Sequence, residues 1–358
     1  MENKILSVII PTYNMAALLP RCLDSLLNTE TLESLEVIAV NDGSKDSSLE
    51  IARDYEQRFP HTITVIDKPN GNYGSTINAA LPVAKGRYVK ILDADDWYDT
   101  TALVETLKAL DNCNDDLIVE HFTQHGPGAK KEVIKYNTMN KEVYEYGKTY
   151  SLDAVLKDGY IKYFVMHSIA YRTDFLRSIE YKQTEGISYT DTEWACYPIF
   201  HAKTVKFLDL NLYQYNRDRE GQTMVPAVLA KCTGQFQTVV SNLFAYYGNH
   251  AEHLSSDRMN WIKLYLANRV RFLFKLYLID MDKNTFAESD FSECFVRFHN
   301  LCTEYDIHPT LYPENRIIRM DYIKYYNRKH HRWPCWLQGL NHILDNTMRS
   351  LYVRFIRK

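Results

Sequence analysis

The chain lacks the features that mark several large protein classes. Its seven cysteines include no Cys-x-x-Cys pair, which argues against a zinc ribbon or a disulfide framework and for free, reduced thiols in a cytosolic protein. His330, His331, Cys335 and His342 fall close together but match no usual zinc spacing. No uninterrupted apolar run reaches about 18 residues, so no transmembrane helix is expected. Met1-Glu2-Asn3-Lys4 is followed by too short an apolar stretch for a signal peptide. The loop after the first strand-like run has no Gly-x-Gly-x-x-Gly, which removes the nicotinamide-dependent oxidoreductases. It also lacks the Gly- and Arg/Lys-rich character of a nucleotidyltransferase phosphate loop. There is no internal repeat and no low-complexity linker.

What is present is an alternation of strand and helix patterns over the first 120 residues. Leu6-Ser7-Val8-Ile9-Ile10 reads as a strand, and Leu18, Leu19, Cys22, Leu23, Leu26 and Leu27 then recur at helical spacing. Pro20 is tolerable in a first turn. Leu35 to Val40 forms a second strand ending in Asn41-Asp42-Gly43-Ser44, with Asp46 or Ser47 capping the next helix. Ile63-Thr64-Val65-Ile66 is a third strand, followed by a loop and a helix expected from Ser75 to Gly86. Tyr88 to Leu92 is a fourth, Thr100 caps the helix after it, and Leu117-Ile118-Val119 is a fifth. The predicted fold is α/β, a mostly parallel (mixed) sheet flanked by helices and followed by a C-terminal helical region. Residues 120 to 225 are irregular but belong to the same domain, so the expected division is 1–225 and 226–358.

Asp93-Ala94-Asp95-Asp96 follows directly on the fourth strand and is the most telling stretch. In an open α/β sheet ligands bind outside the carboxyl ends of the strands, and clustered carboxylates there repel one another unless a hard cation joins them. Magnesium or manganese, held by carboxylates and a substrate diphosphate, suits such a site. Taken alone, the cluster reads equally as a solvated acidic turn capping the next helix. Four strand-end loops converge on one crevice: Pro11-Thr12-Tyr13-Asn14, Asn41 to Ser44, Asn70 to Gly74, and the acids.

These elements, in order, resemble the family 2 glycosyltransferases, whose catalytic domain is of the GT-A type. The resemblance is carried by Ser7 to Asn14, Val40 to Ser44, Asn72-Tyr73-Gly74 with Asn78 and Ala79, and Ala84-Lys85-Gly86-Arg87-Tyr88 running into Leu92 to Asp96. It is close over residues 5 to 110 and looser to 225. It implies an inverting enzyme that moves a hexose or N-acetylhexosamine from a UDP-sugar to a lipid-linked glycan in surface polysaccharide synthesis, with Mn2+ or Mg2+. Pro11, Thr12, Tyr13 and Asn14 would line the nucleotide, and Asp42 would accept the imide N–H of uracil. Asn41 stands where the family more often has Asp. Asn72, Gly74 and Asn78 join the donor side, Asp93 and Ala94 would meet the ribose, and Asp95 with Asp96 would hold the metal. A cation there would stabilise the charge that develops on the leaving diphosphate.

Glu185 to Trp194 resembles the family's acidic segment on the acceptor side. Asp191 is the expected base and Glu193 the alternate, because this chain has Thr190-Asp191 where relatives often show Glu-Asp. Leu212 to Met224 resembles a Tyr-x-Tyr segment with an Arg-rich loop, from which Arg217, Arg219, Gln222 and Thr223 would contact the diphosphate. The alternative reading of the whole is a non-catalytic member that binds nucleotide-sugar or serves as a scaffold in a polysaccharide assembly complex.

The net charge of −3 conceals an asymmetry. Residues 314–358 hold ten Lys or Arg against three Asp or Glu, a local +7 that leaves −10 for residues 1–313. Arg316, Arg319, Lys324, Arg328, Lys329 and Arg332 are interleaved with Tyr322, Tyr325, Tyr326, Trp333 and Trp336. This pattern reads as peripheral contact with the anionic inner face of the cell membrane, as a homodimer surface, or as a helical cap with a basic solvated face. No nucleic-acid-binding module accompanies it.

Overall fold

The computed structural model describes residues 4–309, apart from 28–29, 127–129, 137–143, 160, 218–225 and 282–285, together with Ile323 and Tyr326. Strand β1 (Leu6–Thr12) leads to α1 (Leu19–Asp24), β2 (Leu35–Asp42), α2 (Ser48–Arg58) and β3 (Ile63–Lys68). Next come α3 (Asn72–Ala80), β4 (Tyr88–Ile91), the short β5 (Trp97–Tyr98) and α4 (Thr100–Asp111). The sheet is completed by β6 (Leu117–Gly126), β7 (Lys130–Ile134), β8 (Thr149–Ser151), β9 (Ile169–Arg172) and β10 (Thr204–Asn216). Helices α5 (Leu152–Lys157), α6 (Thr173–Ser178) and α7 (Asp191–Cys196) fall among those strands.

The strand order is β3-β2-β1-β4-β9-β6-β10-β5, with β7 on β6 and β8 on β10. Pairs β1/β2, β2/β3, β1/β4 and β6/β10 are parallel. Strand β9 runs antiparallel between β4 and β6, which makes the sheet mixed. Val8, Ile9, Ile10, Val37, Ile38 and Val40 are fully buried, as expected of parallel strands covered by helices on both faces. The chain leaves β1 for β2 on one side and later returns to place β4 on the other, so the order reverses between β1 and β4. That reversal opens a crevice at the carboxyl ends of these strands, where the four loops meet.

Local chemistry moves several expected boundaries. The α4 cap is Asp99, one residue before Thr100, because its carboxylate accepts the Ala102 N–H at 2.9 Å. At α2 the carboxylate of Asp46, not the Ser47 hydroxyl, accepts the Ser48 N–H at 3.1 Å. Helix α3 begins at Asn72 and ends at Ala80, short of Gly86. Gly86 instead allows backbones to meet, since a Cβ there would lie 2.3 Å from the Ser7 nitrogen.

After residue 225 the described elements are helical: α8 (Pro226–Lys231), α9 (Thr233–His250), α10 (Ser256–Lys275) and α11 (Glu288–Glu304). The chain forms two compact units, residues 1–220 with 245–261, and residues 221–244 with 262–358. Part of the helical stretch therefore belongs with the sheet. In the second unit Leu266, Val270, Leu273 and Phe274 are buried at helical spacing, whereas Leu264 is exposed. Among the described residues no helix is long and apolar enough to cross a membrane. Six described cysteines are free thiols. Apart from Ile323 and Tyr326, the basic segment 314–358 lies outside the described residues.

Candidate functional site

The acidic loop is held from beneath by β10. Asp96 is fully buried; its carboxylate accepts the Tyr213 hydroxyl at 2.6 Å and the Asn216 N–H at 2.7 Å. The Tyr213 oxygen in turn accepts the Asp93 N–H at 3.2 Å. Tyr73, from α3, donates its hydroxyl to Asp93 Oδ1 at 3.0 Å. Burial, followed by the charges of Asp95 and Asp93, raises the Asp96 carboxyl well above its ordinary pKa. Ala94 is buried and Asp95 half-buried, with the Asp95 carbonyl accepting Arg21 Nη2 at 2.8 Å.

His167 completes this cluster. Its ring stacks on Phe122 and packs against Tyr213 and Tyr215, with centroids 5.2, 4.8 and 4.5 Å away. Nδ1 is buried without a hydrogen-bond partner. Burial, then the nearby Lys90 ammonium, pushes the imidazole down to about 3, so it is neutral at physiological pH. Asp93, Asp96 and His167 each bring a ligand atom to within 4.8 Å of the others. Two hard carboxylate oxygens and one neutral imidazole with an orphaned nitrogen fit a divalent cation. Asp95 is not in this group, although the sequence pattern paired it with Asp96 as metal ligand.

The neighbouring loops are tied together. Asp42, buried at the end of β2, accepts Lys68 Nζ at 2.8 Å and the Gly71 N–H at 2.9 Å on Oδ1. Asn41 donates to Asp67 at 2.7 Å and accepts the Ser44 N–H at 3.3 Å, so its amide braces two strand ends. Tyr13 is 45% exposed and offers an aromatic face; Pro11 is half-buried. The Thr12 hydroxyl is spent on the Ile10 carbonyl at 3.2 Å. Asn14 has φ +53° and accepts the Lys45 N–H at 2.7 Å, which joins the first two loops. Asn72 is also left-handed, at φ +62°. Non-glycine residues in that region cluster at functional sites.

Two residues expected on the donor side act on the chain itself. A Cβ at Gly74 would sit 2.1 Å from the Thr184 carbonyl oxygen. The Asn78 amide donates to the Gln183 carbonyl and to Glu185 Oε1, both at 2.9 Å, and accepts the Gln183 N–H at 2.9 Å. Asp191 is the first residue of α7 rather than its cap, which is Thr190. Burial most, then the charges of Asp93 and Asp191, raise the pKa of the Tyr73 hydroxyl. Glu193 is fully buried and accepts the Thr184 N–H and hydroxyl, each at 2.7 Å. Arg217 donates to Gln124 at 3.0 Å, at the ends of β6 and β10. Arg219, Gln222 and Thr223 lie outside the described residues.

The family model described as Glycosyl transferase family 2 matches residues 7–179. Residues 7–179 are thus a glycosyl transferase family 2 region. That match ends before Asp191 but contains the acidic loop, Asp42 and His167. The chain is 28% identical over 223 residues to the uncharacterized glycosyltransferase EpsJ of Bacillus subtilis, covering 62% of this chain and 64% of that protein. It is 34% identical over 133 residues to the poly(ribitol-phosphate) beta-glucosyltransferase of Bacillus spizizenii, covering 36% and 21%. The chain thus spans less than two thirds of these relatives. The crystal structure of Staphylococcus aureus TarS 1-349 aligns with a TM-score of 0.51 at 16% identity, over 92% of this chain and 93% of that one. That likeness concerns the fold, which is the GT-A type.

Sequence reasoning missed His167 and Lys68. His167 is a single histidine ahead of β9, in the irregular half, and carries no motif. Lys68 had a faint signal, a cation directly at the end of a strand whose neighbour ends in Asp42.

Proposed function

We propose that this protein transfers a hexose or N-acetylhexosamine from a UDP-sugar to a lipid-linked glycan, with inversion, at the cytoplasmic face of the cell membrane. The observation that carries the reading is the meeting of Asp93, Asp96 and His167 at the reversal point of a family 2 sheet, with α7, which begins at Asp191, tied back to α3 through Thr184 and Gln183. Asp42, its carboxylate oriented by Lys68 and Gly71, accepts the imide N–H of the base, and the open ring of Tyr13 stacks against it. Asp93, Asp96 and His167, with Asp95 on the same loop, would hold Mn2+ or Mg2+. When bound, the cation supplies Lewis-acid stabilisation of the negative charge on the departing diphosphate. Arg217 adds hydrogen bonds to that diphosphate.

Asp191 takes the proton of the acceptor hydroxyl as the acceptor oxygen bonds to the anomeric carbon and the bond to the diphosphate oxygen breaks. A single base with no second carboxylate acting as nucleophile gives one displacement, hence inversion. A relative named for glucosylating poly(ribitol phosphate) favours a polymeric acceptor. The test is metal-dependent UDP release across a panel of UDP-sugars. Asp191→Asn should still bind UDP while kcat falls by about 10²- to 10⁴-fold. Turnover at the parental rate in that variant would remove Asp191 from the chemistry.

A further inference from the structure

Glu193 is a buried carboxylate that the sequence pattern offered as an alternate base, yet both of its oxygens are engaged. Oε2 accepts the Thr184 N–H and Oε1 the Thr184 hydroxyl. Thr184 belongs to a segment that is gripped from the other side by α3. Asn78 makes two hydrogen bonds to the backbone of Gln183 and one to Glu185. The Gly186 N–H reaches the Gly71 carbonyl at 2.7 Å. Gly74 lets the Thr184 carbonyl approach so closely that a Cβ would collide with it. Residues 183–186 therefore bridge α3, which presents Tyr73 to Asp93, and α7, which begins with Asp191. Helix α7 has only six residues, too few to hold its place without tertiary contacts.

We propose that Glu193 is a positioning residue: through Thr184 and Asn78 it fixes the helix that carries Asp191 at a set distance from the donor side. The proposal rests on the reading of Asp191 as base. A displacement of about 1 Å between reacting groups costs on the order of 10²-fold in rate, so a rigid bridge of this kind has a kinetic consequence that a purely structural carboxylate does not. It also gives Gly74 and Asn78 a role in shape instead of direct donor contact.

The experiment uses the full chain and compares Glu193→Gln, Glu193→Ala, Thr184→Val, Asn78→Ala and Asp191→Asn for thermal melting, UDP affinity with Mn2+, kcat, KM and the pH profile of kcat. Glutamine can accept the Thr184 N–H and donate to its hydroxyl, so Glu193→Gln should keep kcat within about threefold with the parental pH profile. Thr184→Val and Asn78→Ala should melt cooperatively and bind UDP as the parent does, with kcat reduced by about 10- to 100-fold. Their double variant should fall no further than the worse single, since both act on one bridge. Parental kcat in folded Thr184→Val and Asn78→Ala would overturn the positioning role while Asp191→Asn, still inactive, leaves the base in place. Loss of activity and of the pH limb in Glu193→Gln, with Asp191→Asn active, would overturn the base assignment itself. If Glu193→Ala unfolds, the milder threonine and asparagine variants still decide the matter.

Discussion

Lys90 and Asp96 stand six positions apart, both without solvent exposure, and the fold treats their charges in opposite ways. The Lys90 ammonium meets Glu120 at 3.1 Å and the Ile169 carbonyl at 3.3 Å, while Thr106 donates to the other Glu120 oxygen at 2.7 Å. Burial lowers the Lys90 pKa and the Glu120 charge opposes that shift. Asp96 instead receives two neutral donors and sits with two further carboxylates whose charges disfavour its own. The first arrangement is closed and ties β4 to β6. The second leaves like charges facing one another, a pattern that clusters at functional sites more than in structural pairs.

The comparison is broken most forcefully at the closed pair. Lys90→Met leaves the Glu120 carboxylate buried without its counter-charge and should cost about 3–5 kcal/mol in urea unfolding. Adding Glu120→Leu should recover most of that loss, because an apolar pair replaces an ion pair without strong penalty. A double variant as unstable as the single would mean that Lys90 does more than balance Glu120.

The open cluster should respond the other way. Asp93→Asn keeps an acceptor for the Tyr73 hydroxyl and removes one of three like charges, so metal-free stability should hold or rise. At Mn2+ a hundred times its dissociation constant the parent should gain about 2.7 kcal/mol. Asp93→Asn and His167→Ala should gain little, as read from unfolding midpoints with and without the cation. An undiminished gain in both would place the cation elsewhere.

The same contrast separates what is legible in the sequence from what is not. The strand and helix rhythm to residue 120, the acids after β4 and Asp42 after β2 follow from local patterns, because a parallel strand announces itself by its apolar run and its loop by polar residues. The partners of those residues do not. The local pattern does not show that Asn78 meets Gln183, 105 residues further on, or that Gly74 meets Thr184. His167 becomes a ligand candidate only because β9 returns antiparallel between β4 and β6. Thr100 looked like a cap, but Asp99 had the better acceptor. In each case a long-range approach or a neighbouring side chain decided a role that local spacing left open.

The smallest effect concerns a second histidine, which sharpens the contrast with His167. His201 accepts or donates through Nε2 to the Tyr246 hydroxyl at 2.8 Å, lies 5.1 Å from the His250 ring, and among the described residues joins no cluster of metal-ligating groups. Burial first, then His250 and Arg258, push it down to about 4. Its folded pKa lies below the unfolded value near 6.5, so its contribution is fully present above about pH 6.5 and is lost as pH falls toward 4. In that window unfolding takes up a proton at His201. His201→Phe keeps an aromatic ring against Phe200 and Tyr246 and removes the titration, so the slope of stability against pH should flatten by up to about one proton. Mn2+ should leave that difference unchanged, since His201 is no part of the acidic site. If the slope is the same in the variant, the acid sensitivity belongs to other groups and the two histidines are not alike in being held neutral by the fold.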